Sequence, residues 1–298
     1  MSSKQQEKVA PTGRDKKTNT GQSTPDAIPD LSPSEHDKVH ERTAISAVVV
    51  YESVRQEGEG ELNRPPLALS WSGLAAGLSM GFSLVAKGLF HAYLPDAPWR
   101  PLLENLGYSV GFLIVVLGRQ QLFTENTLTV ILPLLTQPKI HTFLRVLRLW
   151  GIVFATNMLG AFLFATIIAQ VDIFSPVIQQ SFLQLSQQSI GGAFGLTVVK
   201  GIFAGWLIAL MIWLLPAAET TKLHVIIILT YVVGLGEFAH IIAGAVDAFY
   251  LVNLGQLTWL ACFGIFIIPT LIGNIIGGVS LVAALNYAQV ASRTKGKS

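Results

Sequence analysis

Charge is what this chain has least of. Of its 298 residues only 13% are Asp, Glu, Lys or Arg, and 51% are hydrophobic. The mean hydropathy is +0.53. That balance excludes an ordinary soluble domain. A single cysteine, Cys262, excludes an intrachain disulfide. No basic patch stands out and the formal net charge is +2, so no nucleic-acid partner is expected. There is no metal-ligand cluster, no nucleophile–base pair and no cofactor loop, so neither an enzyme nor a bound cofactor is expected. The N-terminus lacks an apolar segment beside its basic residues, and no cleaved signal peptide is expected.

What charge there is lies early. Lys4, Lys8, Arg14, Lys16, Lys17, Lys38, Arg42, Arg55 and Arg64 stand among many acids before residue 65. Residues 1–30 are polar, rich in Lys, Thr, Gln and Ser, and are expected to be a disordered cytoplasmic tail. Ser32, Pro33 and Glu35 form a capping box. Ala44, Val48 and Tyr51 follow at helical spacing, and Gly58 and Gly60 offer a stop. This predicts an amphipathic helix over about 33–57 within a cytoplasmic segment 31–64. A membrane domain over 65–291 and a short cytoplasmic tail, 292–298, complete the chain.

Within 65–291, six apolar segments are long enough for the ~20 residues a span requires: 67–94, 105–136, 143–171, 193–216, 223–251 and 257–290. Trp71, Trp99, Trp150, Trp213 and Trp259 fall near the proposed ends, as interfacial belt residues do. Lys139, Arg145 and Arg148 flank the loop between spans two and three, and Lys222 lies between four and five. Arg293, Lys295 and Lys297 occupy the tail, while the intervening loops on the opposite side have few basic residues. The positive-inside rule therefore places both termini in the cytoplasm, with Lys87 and Arg100 in the first outer loop as the exception.

Two spans carry polar interruptions. Gly118–Asn126 breaks the second, and GEFAHIIAGAVDAF, from Gly236 to Phe249, puts Glu237, His240 and Asp247 in the fifth. Spans three and six share a pattern: Asn157, two bulky residues, Gly160 and Ala161 in one, and Asn274, two isoleucines, Gly277 and Gly278 in the other, 117 residues apart. Three spans separate the copies, so the halves enter the membrane from opposite sides. The reading is an all-α membrane protein of six helices with an inverted 3+3 repeat and broken second and fifth spans. Such breaks occur at membrane depth only where protein buries them or water lines them, and paired breaks point to a transport site. For Gly160, Gly277 and Gly278 the alternative is a helix-packing face.

Leu122-Phe123-Thr124 in the second span, His240 in an F-x-H-x-I-A context, and Pro269 to Gly278 (PTLIGNIIGG) together resemble the formate/nitrite transporter family, over about residues 65–290. The chain is similar to enterobacterial inner-membrane members with a long N-terminal extension. The resemblance implies an aquaporin-like fold, a homopentamer with one pore per protomer, and passage of small monovalent anions such as formate, nitrite or hydrosulfide. The N-P-A motif of a true aquaporin is missing. The resemblance makes His240 the central pore residue and Leu122, Phe123 and Thr124 the loop narrowing the inner side. It places Asn274, the sixth-span asparagine, among the pore residues and makes Lys200 a lysine that attracts the anion. Tyr108 and Phe112 are candidates for the outer constriction. An N-terminal helix is implied to gate the inner mouth, and a lie on the membrane surface is the alternative.

Two departures stand out. The family commonly reads G-F-E-H-x-x-A-N where this chain reads Glu237-Phe238-Ala239-His240 and, later, Gly244. The second-span loop also carries Arg119, Gln120 and Gln121. Arg119 and Glu237 occupy nearly corresponding positions in the two halves, and charges at membrane depth are usually paired. An ion pair between them is therefore expected. Asp247 is assigned no role. The leading function is a channel for formate-like monocarboxylates, with a nitrite, hydrosulfide or other inorganic-anion channel as one alternative. A membrane scaffold or sensor with a vestigial pore is the other.

Overall fold

The computed structural model describes residues 32, 45–285 and 287–289, and every regular element described is helical. Helix α1, Ala47–Asn63, begins where Ser46 leaves the helical region at φ −70°, ψ 154° and its hydroxyl accepts from the Val49 N–H. The sequence reading of one helix over 33–57 is corrected at both ends. Residues 45 and 46 are not helical, and the capping box beyond Ser32 lies outside the described residues. The chain also runs through Gly58 and Gly60. It stops only at Arg64, which Pro65 holds in the extended region.

Gly58 is buried because α1 lies flat on the second span. A Cβ there would overlap the Thr129 carbonyl, whose carbon would be 2.6 Å away. Alanine is the better helix former by ~1 kcal/mol, yet Gly58→Ala is expected to lift α1 from its seat. Limited trypsin digestion at Arg55 should then run several-fold faster, and an unchanged digestion pattern would refute the close packing.

The membrane unit has two halves of three spans. In the first, α2 is Pro66–Tyr93, with proline at the first helical position where its missing N–H costs nothing. The second span is broken. Short α3, Arg100–Glu104, leads into α4, Ser109–Leu117, and the chain resumes as α5, Asn126–Thr129, and α6, Ile131–Thr136. Helix α7, Ile140–Gln170, completes this half. The second half repeats the plan with α9, Phe194–Leu214; α10, Lys222–Leu235; α11, Ile241–Asn253; and a final span. That span runs from α12, Trp259–Ala261, through π-helical Cys262–Ile267 and α13, Ile268–Ile275, into π-helical Ile276–Ala284. Among the described residues five helical stretches are long and apolar enough to cross a membrane, one of them Arg100–Leu117 of the broken second span, and shorter apolar helices supply the other halves of the broken spans. Helix α2, at 28 residues, is about 42 Å long at 1.5 Å per residue. It exceeds the ~30 Å hydrocarbon core.

Close backbone approach joins α2 to α7 and, equivalently, α9 to the last span. A Cβ on Gly160 would stand 2.7 Å from the Leu78 nitrogen, and one on Gly277 would stand 2.7 Å from the Trp206 nitrogen. The helix-packing reading of these glycines holds, and the repeat uses it in both halves. Tyr51 and Tyr287 meet with ring centroids 6.3 Å apart, so α1 and the end of the last span share one side of the unit.

Two features differ from the sequence reading. The connection between spans three and four contains a helix, α8, Pro176–Ser189, which buries Ile178, Phe182 and Leu185 along one face. The tryptophans divide. Trp71, Trp99 and Trp259 are exposed, whereas Trp150 packs on Phe123 and donates to the Asn126 carbonyl at 3.1 Å.

Candidate functional site

The two breaks are built alike. In the first, the Gln120 N–H reaches back to Val115 O at 3.0 Å and the Arg119 N–H to Val116 O at 3.2 Å. In the second, the Phe238 N–H reaches Val233 O at 3.0 Å and the Glu237 N–H reaches Gly234 O at 3.1 Å. This bond pattern is the Schellman end of a helix. The residue after the cap in such an end takes the left-handed conformation and is usually glycine. Here it is Arg119 at φ 49° and Glu237 at φ 50°. These positions lie 118 residues apart, one more than the two asparagines.

Each asparagine closes the break of its own half. Asn157 Nδ2 donates to Gln121 O at 2.8 Å and Gly73 O at 2.7 Å, and its Oδ1 accepts from the Phe123 N–H at 2.9 Å. Asn274 Nδ2 donates to Ala239 O at 2.8 Å and Gly201 O at 2.9 Å, and its Oδ1 accepts from the Ile241 N–H at 2.9 Å. Both side chains are fully buried. Asn274 was expected to line a pore. The structure instead commits its amide to backbone groups that the missing helical turn leaves without partners. Asn157 does the same work, which only its motif, and not its role, announced in the sequence.

Two cavities end near these breaks. One, about 260 Å3, is lined by Lys87, Arg100, Glu104, Tyr108, Lys200, Glu237, His240 and Asp247, among others. The second, about 440 Å3, lies on the α1 side and is lined by Glu57, Glu61, Arg64, Arg119, Gln120, Gln121, Glu125 and Lys222, among others. His240 stands at the floor of the first. It caps α11, its Nδ1 accepting from the Ala243 N–H at 3.2 Å. An amide can only donate, so in the neutral ring the proton sits on Nε2. Nε2–H then donates to Thr124 Oγ1, 2.8 Å away in the first break. The Phe112 ring meets the imidazole edge-on at 4.9 Å, and Tyr108 packs on Phe112 at 5.4 Å. Phe112, Leu122, Thr124 and His240 are all buried. Of the four only His240 lines a cavity, and with the others it forms a buried layer beneath it. Leu122 is the repeat partner of His240, again 118 residues away.

The remaining candidates divide. Phe123 turns to α7 and packs edge-on against Trp150 and Phe154, at 5.7 and 5.2 Å, so it backs the break and lines neither cavity. The expected Arg119–Glu237 ion pair is not formed. Arg119 Nη2 pairs with Glu57 Oε1 of α1 at 2.7 Å, and Lys200 Nζ pairs with Glu237 Oε2 at 3.3 Å. An inverted repeat explains the error: equivalent positions are related by a twofold axis in the membrane plane, so Arg119 faces one cavity and Glu237 the other.

Several polar groups of the site escaped the sequence reading. His91 Nδ1 meets Glu104 Oε2 at 2.7 Å, while Lys87 lies 4.0 Å from the same carboxylate. Ser186 of α8 donates to Asp247 Oδ1 at 3.4 Å. On the α1 side, Gln120 Oε1 and Glu125 Oε1 are buried without a hydrogen-bond partner among the described residues. A lone acid in an apolar span was the available signal for Glu125.

Residues 48–288 match the family model described as formate/nitrite transporter. The chain is 41% identical over 257 residues to the inner membrane protein YfdC of Escherichia coli (strain K12), covering 86% of this chain and 83% of that protein. It is 26% identical over 223 residues to the formate channel BtFdhC of Bacillus thuringiensis, covering 71% and 82%. Among solved structures, a pentameric formate channel with formate bound superposes with a TM-score of 0.62 at 20% identity, covering 80% of this chain and 99% of that one. An FNT family ion channel does so at 0.72 and 17%, covering 81% and 99%. The broken, inverted spans are thus those of a known class of membrane transport proteins rather than of an enzyme, and the chain belongs to the formate/nitrite transporter family.

Proposed function

We propose that the chain is a bacterial inner-membrane channel for small monovalent anions of the formate kind, with a pore in each protomer of a homopentamer and both termini cytoplasmic. The observation that carries this reading is the contact from His240 Nε2–H to Thr124 Oγ1, which joins the two breaks inside a buried layer. An anion entering such a layer loses its hydration at a large Born cost. Two things lower it. The half-helices starting at Asn126 and Ile241 bring positive dipole ends to the breaks, and the imidazole offers a hydrogen bond. In this reading Lys200 gathers the anion, Tyr108 and Phe112 strip its water, and His240 and Thr124 pass it toward Leu122. Arg145 and Arg148 contact Asn63 and Leu62 on the α1 side, which supports a cytoplasmic α1 under the positive-inside rule. The names of the formate channel relatives support the substrate class and the pentamer.

The test is anion flux into proteoliposomes across formate, acetate, nitrite and hydrosulfide. Formate entering faster than into protein-free vesicles is expected. Selective flux of nitrite or hydrosulfide would favour an inorganic-anion channel, a reading suggested by the altered residues before His240. No flux of any of them from assembled protein would overturn the proposal.

A further inference from the structure

Lys87, Arg100 and Lys200 of the His240-side cavity are each matched by a carboxylate, but only the Lys200 match lies in a break. Lys87 faces Glu104, which is buried and already held by His91. Arg100 pairs at 3.3 Å with Asp96, four residues earlier in the loop before α3, an exposed carboxylate remote in sequence from either break. Lys200 pairs with Glu237, whose side chain is 71% exposed to the cavity while the lysine is 33% exposed. Glu237 also lies in the break itself, three residues before His240. Its backbone is in the left-handed region, φ 50°, a conformation that is unfavourable for a residue with a Cβ. Glycine would satisfy this helix end without that cost. What glutamate adds is a carboxylate projected at the Lys200 ammonium.

We infer that Glu237 is a tethered competitor for the substrate: its carboxylate occupies Lys200 until a permeating monovalent anion displaces it. The inference rests on the transport reading above. Chemically, Glu237 Oε2 stands in for an oxygen of formate or nitrite at the ammonium. The contact is exposed, so displacement is cheap. An exposed pair of this kind is worth a few tenths to ~1 kcal/mol, which corresponds to about a twofold to fivefold change in apparent affinity. Glu237 would therefore set the concentration range over which the channel saturates. It would also discriminate against neutral solutes, which gain nothing by reaching a lysine already paired.

The experiment uses the full chain in proteoliposomes with formate and nitrite as probes. Initial flux is measured against concentration for wild type, Glu237→Gln and Glu237→Gly. Acylation of Lys200 by an anionic amine-reactive reagent is followed in parallel by mass spectrometry, with Lys222 in the other cavity as internal reference. Both variants are expected to lower the half-saturating concentration about twofold to fivefold and to raise Lys200 labelling relative to Lys222. A shift in Glu237→Gly but not in Glu237→Gln would assign the effect to the strained backbone and overturn the inference. Wild-type flux with neither half-saturation nor labelling altered would overturn it while leaving the transport reading intact. Raised labelling with no flux of either anion in any protein would sink the transport reading, and the competition with it.

Discussion

Asn274→Ala is expected to lower the melting temperature of the detergent-solubilised protein by about 10 °C or more, or to prevent its recovery as folded protein. The substitution strands three buried backbone groups, the Ile241 N–H and the Gly201 and Ala239 carbonyls. Each unsatisfied buried group costs ~1–3 kcal/mol, so the total is ~3–9 kcal/mol. A chain of this size shifts by roughly 2–4 °C per kcal/mol. Asn274→Asp should be no better, because it lacks the two N–H donors that the carbonyls need. Asn157→Ala should match Asn274→Ala within about 1 kcal/mol, since its three bonds are of the same kind and length. A wild-type melting curve for either alanine variant would mean that the breaks do not depend on their asparagines.

The second large effect concerns transport. His240→Asn is expected to reduce formate flux at least tenfold while the protein stays folded. An asparagine oxygen caps a helix as well as any side chain, so α11 keeps its Ala243 contact. It is too short to replace the Nε2–H donor to Thr124. Tenfold corresponds to ~1.4 kcal/mol, about what one charge-free hydrogen bond is worth. His240→Ala should lose the flux and, in addition, ~1 kcal/mol of cap stability. Thr124→Val leaves the imidazole donor buried without its acceptor and should reproduce the flux defect. Flux at the wild-type level in His240→Asn would remove the histidine from the pathway.

The fold could be read from the sequence because membrane physics leaves few choices. Apolar segments of the right length, two polar interruptions and a repeated Asn-Gly pattern suffice to give six spans in two inverted halves. The sites were legible unevenly. His240 and Lys200 stand out as titratable groups in apolar surroundings, and both face the same cavity. Phe123 and Asn274 were recognisable as part of the breaks, but whether a side chain lines a cavity or backs it depends on rotation about the chain axis. Composition does not fix that rotation. The Arg119–Glu237 pairing failed for a sharper reason: correspondence in an inverted repeat means opposite faces, not proximity. Helix α8 was missed because its glutamines and serines resemble a loop, although Ile178, Phe182 and Leu185 already lay at helical spacing.

The asparagine clamps also bear on how the protein is made. The first joins residues 73, 121, 123 and 157, all of which are synthesised before any part of α9 exists. The second draws only on residues from 201 to 274. Neither nascent half has to wait for the other to satisfy the exposed backbone of its own interrupted helix. Two fragments divided between α8 and α9 and synthesised separately should therefore each insert, and then find one another within the bilayer.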